Sequence, residues 1–417
     1  MRISLIGAGY VGLITGACLA EHKHEVTCVD SDPKKVDAIN KQKSPFYEKD
    51  LDVLLKRNKI KATTEHIQAI QNSQIIFICV GTPTKEDNTQ DLQYIKSVCK
   101  QIGKNLQKNQ TIVIKSSVIP GTTEEIIIPL LEKYSEKKEG AGFHVTVNPE
   151  FLQEGNAVDN FLNPDRIIMG CKNKTSKKTL ETLYKDFTCP KLFLTSLTAA
   201  EMVKYASNAF LSTKISFINE IGNICKKLNI DTYDVAEGMG YDQRIGRAFL
   251  NAGIGWGGSC FPKDVKALIT KAKELGETPK ILESVLQVNQ EQPQKLLNLL
   301  KKHVDTKKGV EIGILGASFK PETDDIRESR SIPIIRELLK EQVTVKIYDP
   351  KAMDNLKKIF PEISYCSPEE VLDSDAVLIL TDWEEFEHLN YKDKVVIDGR
   401  KIEKARKESK IYEGVCW

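Results

Sequence analysis

The feature that most constrains the fold of this chain is a regular alternation of short apolar segments with longer helical patterns. In the first half, continuous apolar runs lie at 2–6, 25–29, 75–80, 111–115 and 144–147. Runs of this kind are typical of strands that are buried on both faces of a sheet. Because the intervening segments are helical, the pattern predicts right-handed crossovers and a parallel, doubly wound sheet.

The alternation stops near Ser196 and returns at Val310. Between these points lie three helical patterns, at 199–228, 262–275 and 279–300. The first of them has an apolar stripe that favours a dimer interface, formed by Val203, Ala206, Phe210, Phe217, Ile221, Ile224 and Leu228. Four more strand patterns then follow at 310–315, 343–348, 376–380 and 395–397.

The second strand region repeats features of the first. Segment 312–316 parallels 4–7, 345–350 parallels 27–33, and 374–378 parallels 73–77. We therefore predict an α/β fold in which two Rossmann-like, doubly wound domains are joined by a central all-helical domain. The predicted bounds are 1–197, 198–303 and 304–417. The alternative, that two sheet domains share these patterns by chance, stays open.

The charge balance and the cysteines limit the classes of partner. Lysine and arginine total 60 against 58 acidic residues, a net charge of +2, so nothing points to nucleic acid or an anionic membrane surface. The ten cysteines are scattered and no pair is spaced C-x-x-C, so we expect neither a metal site nor a disulfide framework. Scattered thiols, with no apolar run of about 18 residues, predict a cytoplasmic protein without a membrane-spanning helix.

A glycine-rich turn follows the first predicted strand. Gly7, Gly9 and Gly12 form the pattern G-x-G-x-x-G, which lets the backbone approach a pyrophosphate at a helix N-terminus. Asp30 ends the second strand, 18 residues after Gly12, where an acid accepts a hydrogen bond from a ribose 2′-hydroxyl and repels a 2′-phosphate. The turn therefore predicts NAD as the cofactor. Lys35 either neutralises pyrophosphate charge or is an ordinary solvated lysine.

Two hydroxyl-rich loops follow the third and fourth strands. They are 79–84, which contains Thr82, and 115–123, which contains Ser117. Because ligands of such sheets bind beyond the carboxyl ends of the strands, both loops are predicted to face the cofactor. Ordinary turn chemistry is an equally good explanation of each loop taken alone.

The most specific local indication of chemistry is the segment 255–264, Gly-Trp-Gly-Gly-Ser-Cys-Phe-Pro-Lys-Asp. Pro262 suits the first turn of a helix, which places Cys260 just before a helix N-terminus. Free backbone amides, the helix dipole and the neighbouring Lys263 favour a thiolate there. We therefore interpret Cys260 as a nucleophile, with a buried structural cysteine as the alternative.

Two pairs of polar residues and a group of cations are weaker candidates. Lys204 and Asn208 lie four residues apart on one face of a predicted helix, although this spacing alone favours ordinary polar positions. Glu150 and Glu154 follow a strand, and either is a general base or part of a solvated loop. The strand-end loop at 317–329 is cationic and suits a phosphate-bearing ligand. The candidate cations are Lys320, Arg327, Arg244 and Arg400.

These segments, in this order, resemble the UDP-glucose/GDP-mannose dehydrogenase family over essentially the whole chain. The matching blocks are GAGYVG at 7–12, GTPT at 81–84, KSSVIPGTT at 115–123, NPEFLQEG at 148–155, EMVKYASN at 201–208, GGSCFPKD at 257–264 and FKPETDDIRES at 319–329. Arg244-Ile245-Gly246 ahead of the cysteine is most similar to members that oxidise UDP-glucose. Ser259 differs from the histidine usual in members that act on N-acetylhexosamine nucleotides.

The resemblance implies a four-electron, NAD-dependent oxidation of the C6 alcohol of a nucleotide sugar, UDP-glucose above all, to a carboxylate. Cys260 would capture the aldehyde as a thiohemiacetal, which is oxidised to a thioester and then hydrolysed. Lys204 and Asn208 would stabilise oxyanions, and Asp264 would act with a water in proton transfer. The implied catalytic residues are Cys260, Lys204, Asn208, Asp264, Glu154, Glu150 and Ser117.

The resemblance also implies which residues bind each ligand. Those facing NAD would be Gly7, Gly9, Val11, Gly12, Asp30, Lys35, Thr82, Ser117, Glu154, Lys263 and Arg327. Those holding the UDP-sugar would be Glu150, Phe151, Leu152, Gln153, Glu154, Lys204, Asn208, Arg244, Asn251, Gly255, Gly257, Lys320 and Arg400. In this family the position of Arg244 typically reaches the neighbouring subunit's site, which implies a homodimer or larger homo-oligomer.

Three positions depart from the family pattern. Ser117 stands where threonine is common, and the methyl that packs the hydroxyl is lost. Trp256 stands where phenylalanine or tyrosine is usual, which changes the fit around the sugar. Lys35 replaces a frequent arginine and weakens bidentate phosphate contact. None of the three removes a proposed chemical group.

Three rival functions stay open on the sequence alone. The first is oxidation of another nucleotide sugar, such as GDP-mannose or another UDP-hexose. The second is a nucleotide-sugar-binding protein without catalysis, against which the intact catalytic set argues. The third is a two-electron dehydrogenase of the 3-hydroxyacid type, which needs no nucleophilic cysteine and makes one NADH per substrate.

Overall fold

A computed structural model of the chain describes residues 1–189 and 191–417. They divide into two compact units, 1–207 and 208–417, and the division falls inside one long helix. The residue bounds of the three predicted domains stay a prediction.

The first unit is built on a sheet of eight strands within the described residues. They are β1 (Arg2–Ile6), β2 (Glu25–Val29), β3 (Lys61–Thr63), β4 (Ile75–Ile78), β5 (Gln110–Ile114), β6 (Phe143–Val147), β7 (Ile167–Cys171) and β8 (Leu192–Thr195). The helices of this unit are α1 (Tyr10–Glu21), α2 (Pro33–Asn40), α3 (Leu51–Asn58), α4 (His66–Asn72), α5 (Gln93–Asn105), α6 (Ile128–Ser135), α7 (Ala157–Leu162) and α8 (Lys174–Leu183), with a π-helical turn at Thr123–Ile127.

The strand order of this sheet places a ligand crevice at its centre. The order is β3-β2-β1-β4-β5-β6-β7-β8, and β1 to β6 are parallel. The direction of winding reverses between β1 and β4, and ligands of such sheets bind beyond the carboxyl ends of the strands at that point. β7 pairs antiparallel with β6, so β7 and β8 run the opposite way.

Helices cover both faces of this sheet, which is why its central strands read as continuous apolar runs. Along β4, Ile75 and Phe77 pack with the core around α1, whereas Ile76 and Ile78 pack with the core around α5 and α6. The five strands predicted in this half are confirmed to within three residues at each end. β3, β7 and β8 are not predicted, because β3 is a three-residue strand and β8 is an edge strand with exposed side chains.

The long helix α9 (Leu197–Leu228) begins in the first unit and continues into the second. The second unit adds α10 (Thr232–Gly240), α11 (Phe261–Glu274), α12 (Lys280–His303), β9 (Glu311–Leu315), α13 (Ser331–Lys340), β10 (Thr344–Tyr348), α14 (Met353–Lys357), β11 (Ser364–Tyr365), α15 (Pro368–Leu372), β12 (Ala376–Ile379), β13 (Val395–Asp398), α16 (Glu403–Glu408) and β14 (Ile411–Gly414). Its sheet is parallel throughout, in the order β11-β10-β9-β12-β13-β14.

The predicted architecture, two Rossmann-like sheets with a helical region between them in the chain, is confirmed. Several residues of the apolar stripe of α9 are exposed to solvent and do not belong to the core. Phe210 is 65 %, Ile224 51 % and Leu228 62 % exposed, whereas polar Ser216 and Asn219 are buried. Across 1–189 and 191–417, we find no helix with the length and apolar character that crossing a membrane requires.

Candidate active site

The glycine turn of the first unit has the geometry that a dinucleotide requires. Gly7 has a φ of +101°, and a Cβ on Gly12 would lie 1.9 Å from the Gly7 carbonyl oxygen, so neither position accepts a side chain. Gly9 differs, because no atom lies within 4 Å of its Cβ position. This open space adjoins the N-terminus of α1, whose N-cap is Gly9 itself. Backbone N–H groups at such a terminus bind phosphate.

Asp30 lies beside this turn, at the carboxyl end of β2. Its carboxylate accepts hydrogen bonds from the backbone N–H of Ala8 at 2.9 Å and of Asp32 at 3.0 Å. The ammonium of Lys35 lies 3.7 Å from the same carboxylate. An acid in this place accepts from the 2′-hydroxyl of a ribose, so the turn and Asp30 together fit NAD.

The two hydroxyl-rich loops are tied to each other. The Thr82 hydroxyl donates to the carbonyl oxygen of Ser117 at 2.8 Å, and the side-chain amide of Gln90 donates to the same oxygen at 2.7 Å. Gln90 also accepts from the N–H of Ile119 at 3.1 Å and donates to the Tyr205 hydroxyl at 3.0 Å. The sequence analysis missed Gln90, since one polar residue in a loop carries no pattern.

A buried ion pair joins Glu150 to α9. The Lys204 ammonium lies 2.8 Å from the Glu150 carboxylate, and both side chains are less than a tenth exposed. The same carboxylate accepts from the backbone N–H of Leu152 at 2.7 Å. Burial by itself would raise the pKa of Glu150, but the charge and hydrogen bond of Lys204, the N–H of Leu152 and the charge of Lys115 together hold that pKa below its ordinary value. Glu150 is therefore a carboxylate at neutral pH.

A second buried cation lies beside this ion pair. A cavity of about 40 Å³ has Glu150, Phe151 and Lys115 among its lining residues. The Lys115 ammonium donates to the Asn148 side-chain oxygen at 2.9 Å, and burial lowers its pKa to about 8. The sequence analysis places Lys115 at a strand end and assigns it no role. The long-range contact with Asn148 has no local signature.

In the second unit, Cys260 is the N-cap residue of α11, with Pro262 in the first turn, as predicted. Its sulfur lies 3.5 Å from the Ser259 hydroxyl oxygen. The glycines before it allow a close backbone approach: a Cβ on Gly257 would lie 2.3 Å from the carbonyl oxygen of Glu328. The predicted helix-terminal position of the cysteine is confirmed.

Asp264 lies one turn into α11 and is 1 % exposed. Its carboxylate accepts from the Asn208 side-chain amide at 2.7 Å and lies 2.5 Å from the Lys263 ammonium. These two donors compensate a buried charge that would otherwise be costly. Asn208, Lys263 and Asp264 therefore form one cluster next to the turn that carries Cys260.

Buried amide side chains hold the glycine-rich loop that precedes Cys260. Asn219 of α9 accepts from the N–H of Gly253 at 2.8 Å, and Gln292 of α12 donates to the Gly253 carbonyl oxygen at 2.7 Å. Asn289 accepts from the N–H of Trp256 at 2.7 Å and donates to its carbonyl oxygen at 2.9 Å. The sequence analysis missed all three amides, because isolated polar residues within helical patterns look like solvated positions.

The remaining candidates of the second unit lie in loops between its helices and strands. Arg400 donates to the carbonyl oxygen of Leu380 at 2.9 Å, and Arg327 pairs with Asp325 at 2.6 Å. The side chain of Arg244 is 89 % exposed and pairs with Asp242 at 2.6 Å. Three further residues are predicted to bind the substrate. The Asn251 side-chain oxygen accepts a hydrogen bond from Arg247 at 2.8 Å, Gly255 has a φ of +105°, and the Lys320 ammonium lies 5.9 Å from the Phe319 ring centre.

The doubly wound sheet, the open glycine turn and the acid at the end of β2 define an NAD-binding protein of the Rossmann type. Sequence comparison specifies the family. Its NAD binding domain matches residues 1–188, its central domain 198–291 and its UDP binding domain 313–405. The chain belongs to the UDP-glucose/GDP-mannose dehydrogenase family, as its motifs imply.

Individual relatives cover nearly the whole chain. A UDP-glucose 6-dehydrogenase of Haloferax volcanii is 40 % identical, with all of both chains aligned. One of Bacillus subtilis is 42 % identical over 96 % of this chain and 93 % of its own length. The solved UDP-glucose dehydrogenase of Pyrobaculum islandicum superposes with a TM-score of 0.96 at 38 % identity, covering 100 % of this chain and 97 % of that one.

Alanine substitutions at Gly9 and Gly12 should separate cofactor binding from folding. We expect Gly9→Ala to fold normally but to weaken NAD binding at least about tenfold, because its methyl occupies space open to the pyrophosphate. We expect Gly12→Ala to destabilise the fold by about 1–3 kcal/mol, since its Cβ overlaps a carbonyl oxygen. Calorimetric NAD titration and denaturant unfolding measure the two effects. Gly238→Ala, at an open position in α10, is the matched control. Unchanged NAD affinity in Gly9→Ala would contradict this account of the turn.

The buried ion pair predicts a non-additive effect on stability. Lys204→Met should lower the free energy of unfolding by about 3–5 kcal/mol, because it leaves the Glu150 carboxylate buried without its cation. Adding Glu150→Gln should recover most of that loss. Lys41→Met, which removes one partner of an exposed pair, should cost less than about 1 kcal/mol. Urea unfolding at pH 7 provides the values, and equal losses in the single and double variants would argue against the ion pair.

Proposed function

We propose that the chain is a UDP-glucose 6-dehydrogenase that oxidises UDP-glucose to UDP-glucuronate with two NAD. The observation that carries this proposal is Cys260 at the N-terminus of α11, with the buried carboxylate of Asp264 in the next turn. A two-electron dehydrogenase needs no such nucleophile. Ser259 and the relatives named above favour UDP-glucose over N-acetylhexosamine nucleotides.

The cofactor would be held by the glycine turn and by Asp30. When bound, NAD accepts a hydride from C6 of the sugar in each of the two oxidations. The N-terminal amides of α1 would receive the pyrophosphate, and Thr82 and Ser117 would line the nicotinamide end. Further contacts are assigned to Val11, Lys35, Glu154, Lys263 and Arg327.

Cys260 would hold the half-oxidised sugar. Its thiolate adds to the C6 aldehyde and forms a carbon–sulfur bond, and the former carbonyl oxygen takes a proton. Oxidation of this thiohemiacetal gives a thioester. Water then adds to the thioester carbonyl and the carbon–sulfur bond breaks, which gives a carboxylate, the regenerated thiolate and two protons that are released to solvent. The N-terminus of α11 favours the thiolate form at both ends of the cycle.

Five further residues would move protons and stabilise negative charge. The Asn208 amide has two N–H donors, of which one is used on Asp264, so the second can reach a developing oxyanion. The Lys204 ammonium would be the other donor, and one well-placed donor is worth about 3–4 kcal/mol. Asp264, through an ordered water, would take the proton of the C6 hydroxyl. Glu154 would assist hydrolysis, and Glu150 would support the water network.

The nucleotide sugar would be bound by residues of several loops. Phe151, Leu152 and Gln153 belong to the loop that starts at Glu150. The glycine-rich loop 251–257 is held rigidly by buried amides, which suits a surface that must meet a ligand closely. Lys320 and Arg400 would neutralise the diphosphate. The proposed domain bounds follow from these roles: 1–197 binds NAD, 198–303 links the subunits, and 304–417 binds UDP.

The exposed apolar stripe of α9 supports a homodimer. Phe210, Phe217 and Ile224 are spaced by seven residues and lie on one exposed face. A groove of about 280 Å³ adjoins Phe217 and is lined by Ile281 and Val285. A second copy of this chain is the occupant we propose, and the exposed Arg244 would then reach the partner's substrate. A cytoplasmic location is also proposed, on the basis of ten scattered thiols.

The proposed chemistry predicts a stoichiometry of two NADH per UDP-glucose consumed. Spectrophotometric NADH counting against a limiting amount of sugar tests this value, with GDP-mannose, UDP-galactose and UDP-N-acetylmannosamine as alternative substrates. We expect Cys260→Ser to abolish acid formation while NAD binding stays within about twofold. A Cys260→Ser variant with normal acid formation would refute covalent catalysis. Faster oxidation of another nucleotide sugar would overturn the substrate assignment alone.

The dimer proposal predicts that charge on the α9 stripe separates the subunits. Phe217→Glu should shift the protein to a monomer in sedimentation at micromolar concentration, because a carboxylate cannot be buried in an apolar interface. Ile359→Glu, at another exposed apolar position, is the control and should leave the oligomer intact. A monomeric wild-type protein would contradict the proposed interface.

A further inference from the structure

We propose that Glu48, a buried carboxylate outside all the motifs described above, is a positioning residue for the second half of the reaction. It holds the loop that carries Glu150 and Glu154 in register with the NAD-binding turn. This inference rests on the proposed function and deepens it, because it assigns a cause to the placement of the hydrolytic carboxylates.

Three donors from two separate segments converge on Glu48, which is 6 % exposed. One carboxylate oxygen accepts from the backbone N–H of Gly155 at 2.8 Å and from the Tyr10 hydroxyl. The other oxygen accepts from the backbone N–H of Ala157 at 2.8 Å. Tyr10 is the first residue of α1 and directly follows Gly9, whereas Gly155 and Ala157 end the loop that begins at Glu150.

The arrangement suits a carboxylate side chain. A carboxylate only accepts and offers about four lone-pair sites, so it satisfies three donors at once. Glutamine offers one oxygen and would turn its NH₂ group toward at least one of these donors. Burial and the hydrogen bond to Glu48 raise the pKa of Tyr10 above its ordinary value, so the hydroxyl stays a donor throughout the neutral range.

Contacts within the loop fix its other residues, and Glu48 ties the end of the loop to the first residue of α1. The N–H of Leu152 donates to Glu150, and the N–H of Gln153 donates to the Asn160 side chain at 3.0 Å. Glu154 immediately precedes Gly155, whose backbone N–H donates to Glu48. Glu48 therefore adds a hydrogen-bonded link between the N-terminus of α1 and the residue next to Glu154, beside the apolar packing of Ala157 and Val158 in the core around α1.

The order of the reaction steps explains why the link through Glu48 matters. Between the two oxidations, NADH leaves the turn at Gly9 and a second NAD binds, while the sugar stays attached to Cys260. A loop tied to that turn keeps its carboxylates in place during the exchange. Loss of the tie should therefore slow hydrolysis of the thioester more than it slows either oxidation.

Rapid mixing of the full-length protein with UDP-glucose and NAD tests this role in Glu48→Gln. We expect a burst of close to two NADH per site, followed by steady turnover at least about tenfold slower than in the wild type. Mass spectrometry of acid-quenched samples should show the sugar thioester accumulating on Cys260. Glu65→Gln, at an exposed position, is the matched control and should behave as the wild type.

Tyr10→Phe keeps the test independent of folding, because it removes a single hydroxyl. We expect the same pattern with a loss of about threefold, and a Tyr10→Phe/Glu48→Gln double variant within about twofold of Glu48→Gln alone, since both remove the same link. Normal turnover without adduct in Glu48→Gln, or loss of the burst together with a lowered Tm, would overturn the positioning role. A wild-type protein that makes no NADH from UDP-glucose would overturn the proposed function, and this role with it.

Discussion

The hydrogen bond from the Asn208 amide to the Asp264 carboxylate joins α9 to α11 at the turn that carries Cys260. The bond is 2.7 Å long and lies in an environment where Asp264 is 1 % exposed, so breaking it would leave a buried charge poorly compensated. It fixes the first turn of α11 and therefore the direction in which its N-terminal amides point. Lys204 lies one helical turn before Asn208 in α9, so the same helix carries both proposed oxyanion donors.

The two Rossmann-like sheets share a topology but differ at the acid that ends their second strand. Asp30 stands beside an open glycine turn, where a ribose can reach it. Asp349, its counterpart after β10, is 2 % exposed and is fully used within the protein. It accepts from Ala317, Ser318, Lys351, Ala352 and the Trp383 indole. The first sheet therefore offers a carboxylate acceptor for a dinucleotide. In the second sheet, hydrogen bonds within the protein occupy the carboxylate at the same position, so that sheet can serve a different ligand.

The sequence predicts well those structural features that a short stretch of the chain encodes. Strands buried on both faces, the glycine turn before α1 and the proline after Cys260 each leave a pattern within about ten residues. The contacts that hold the site together leave no such local pattern. Glu48 and Gly155 are 107 residues apart, and Lys115 and Asn148 are 33 apart. Such partners meet only in the tertiary fold, so a single polar residue in a helix or loop does not indicate which residue it will contact.

The apolar stripe of α9 shows a second limit of prediction from the sequence. Helical periodicity locates an apolar face but does not say what covers it, and here the face points outward while Ser216 and Asn219 turn inward. The inward polar residues bind the backbone and the Trp256 side chain of the loop before Cys260. The central helix thus uses its polar side to hold that loop and leaves its apolar side exposed.

The central claim is that the Cys260 sulfur meets C6 of the sugar. A crystal structure of the wild-type protein with UDP-glucose and NADH, which cannot accept a hydride, would test it directly while leaving the thiol intact. The account predicts a distance of about 3–3.5 Å between the sulfur and C6, as expected for a near-attack arrangement. A sulfur well beyond van der Waals contact, with the hexose ordered elsewhere, would contradict it.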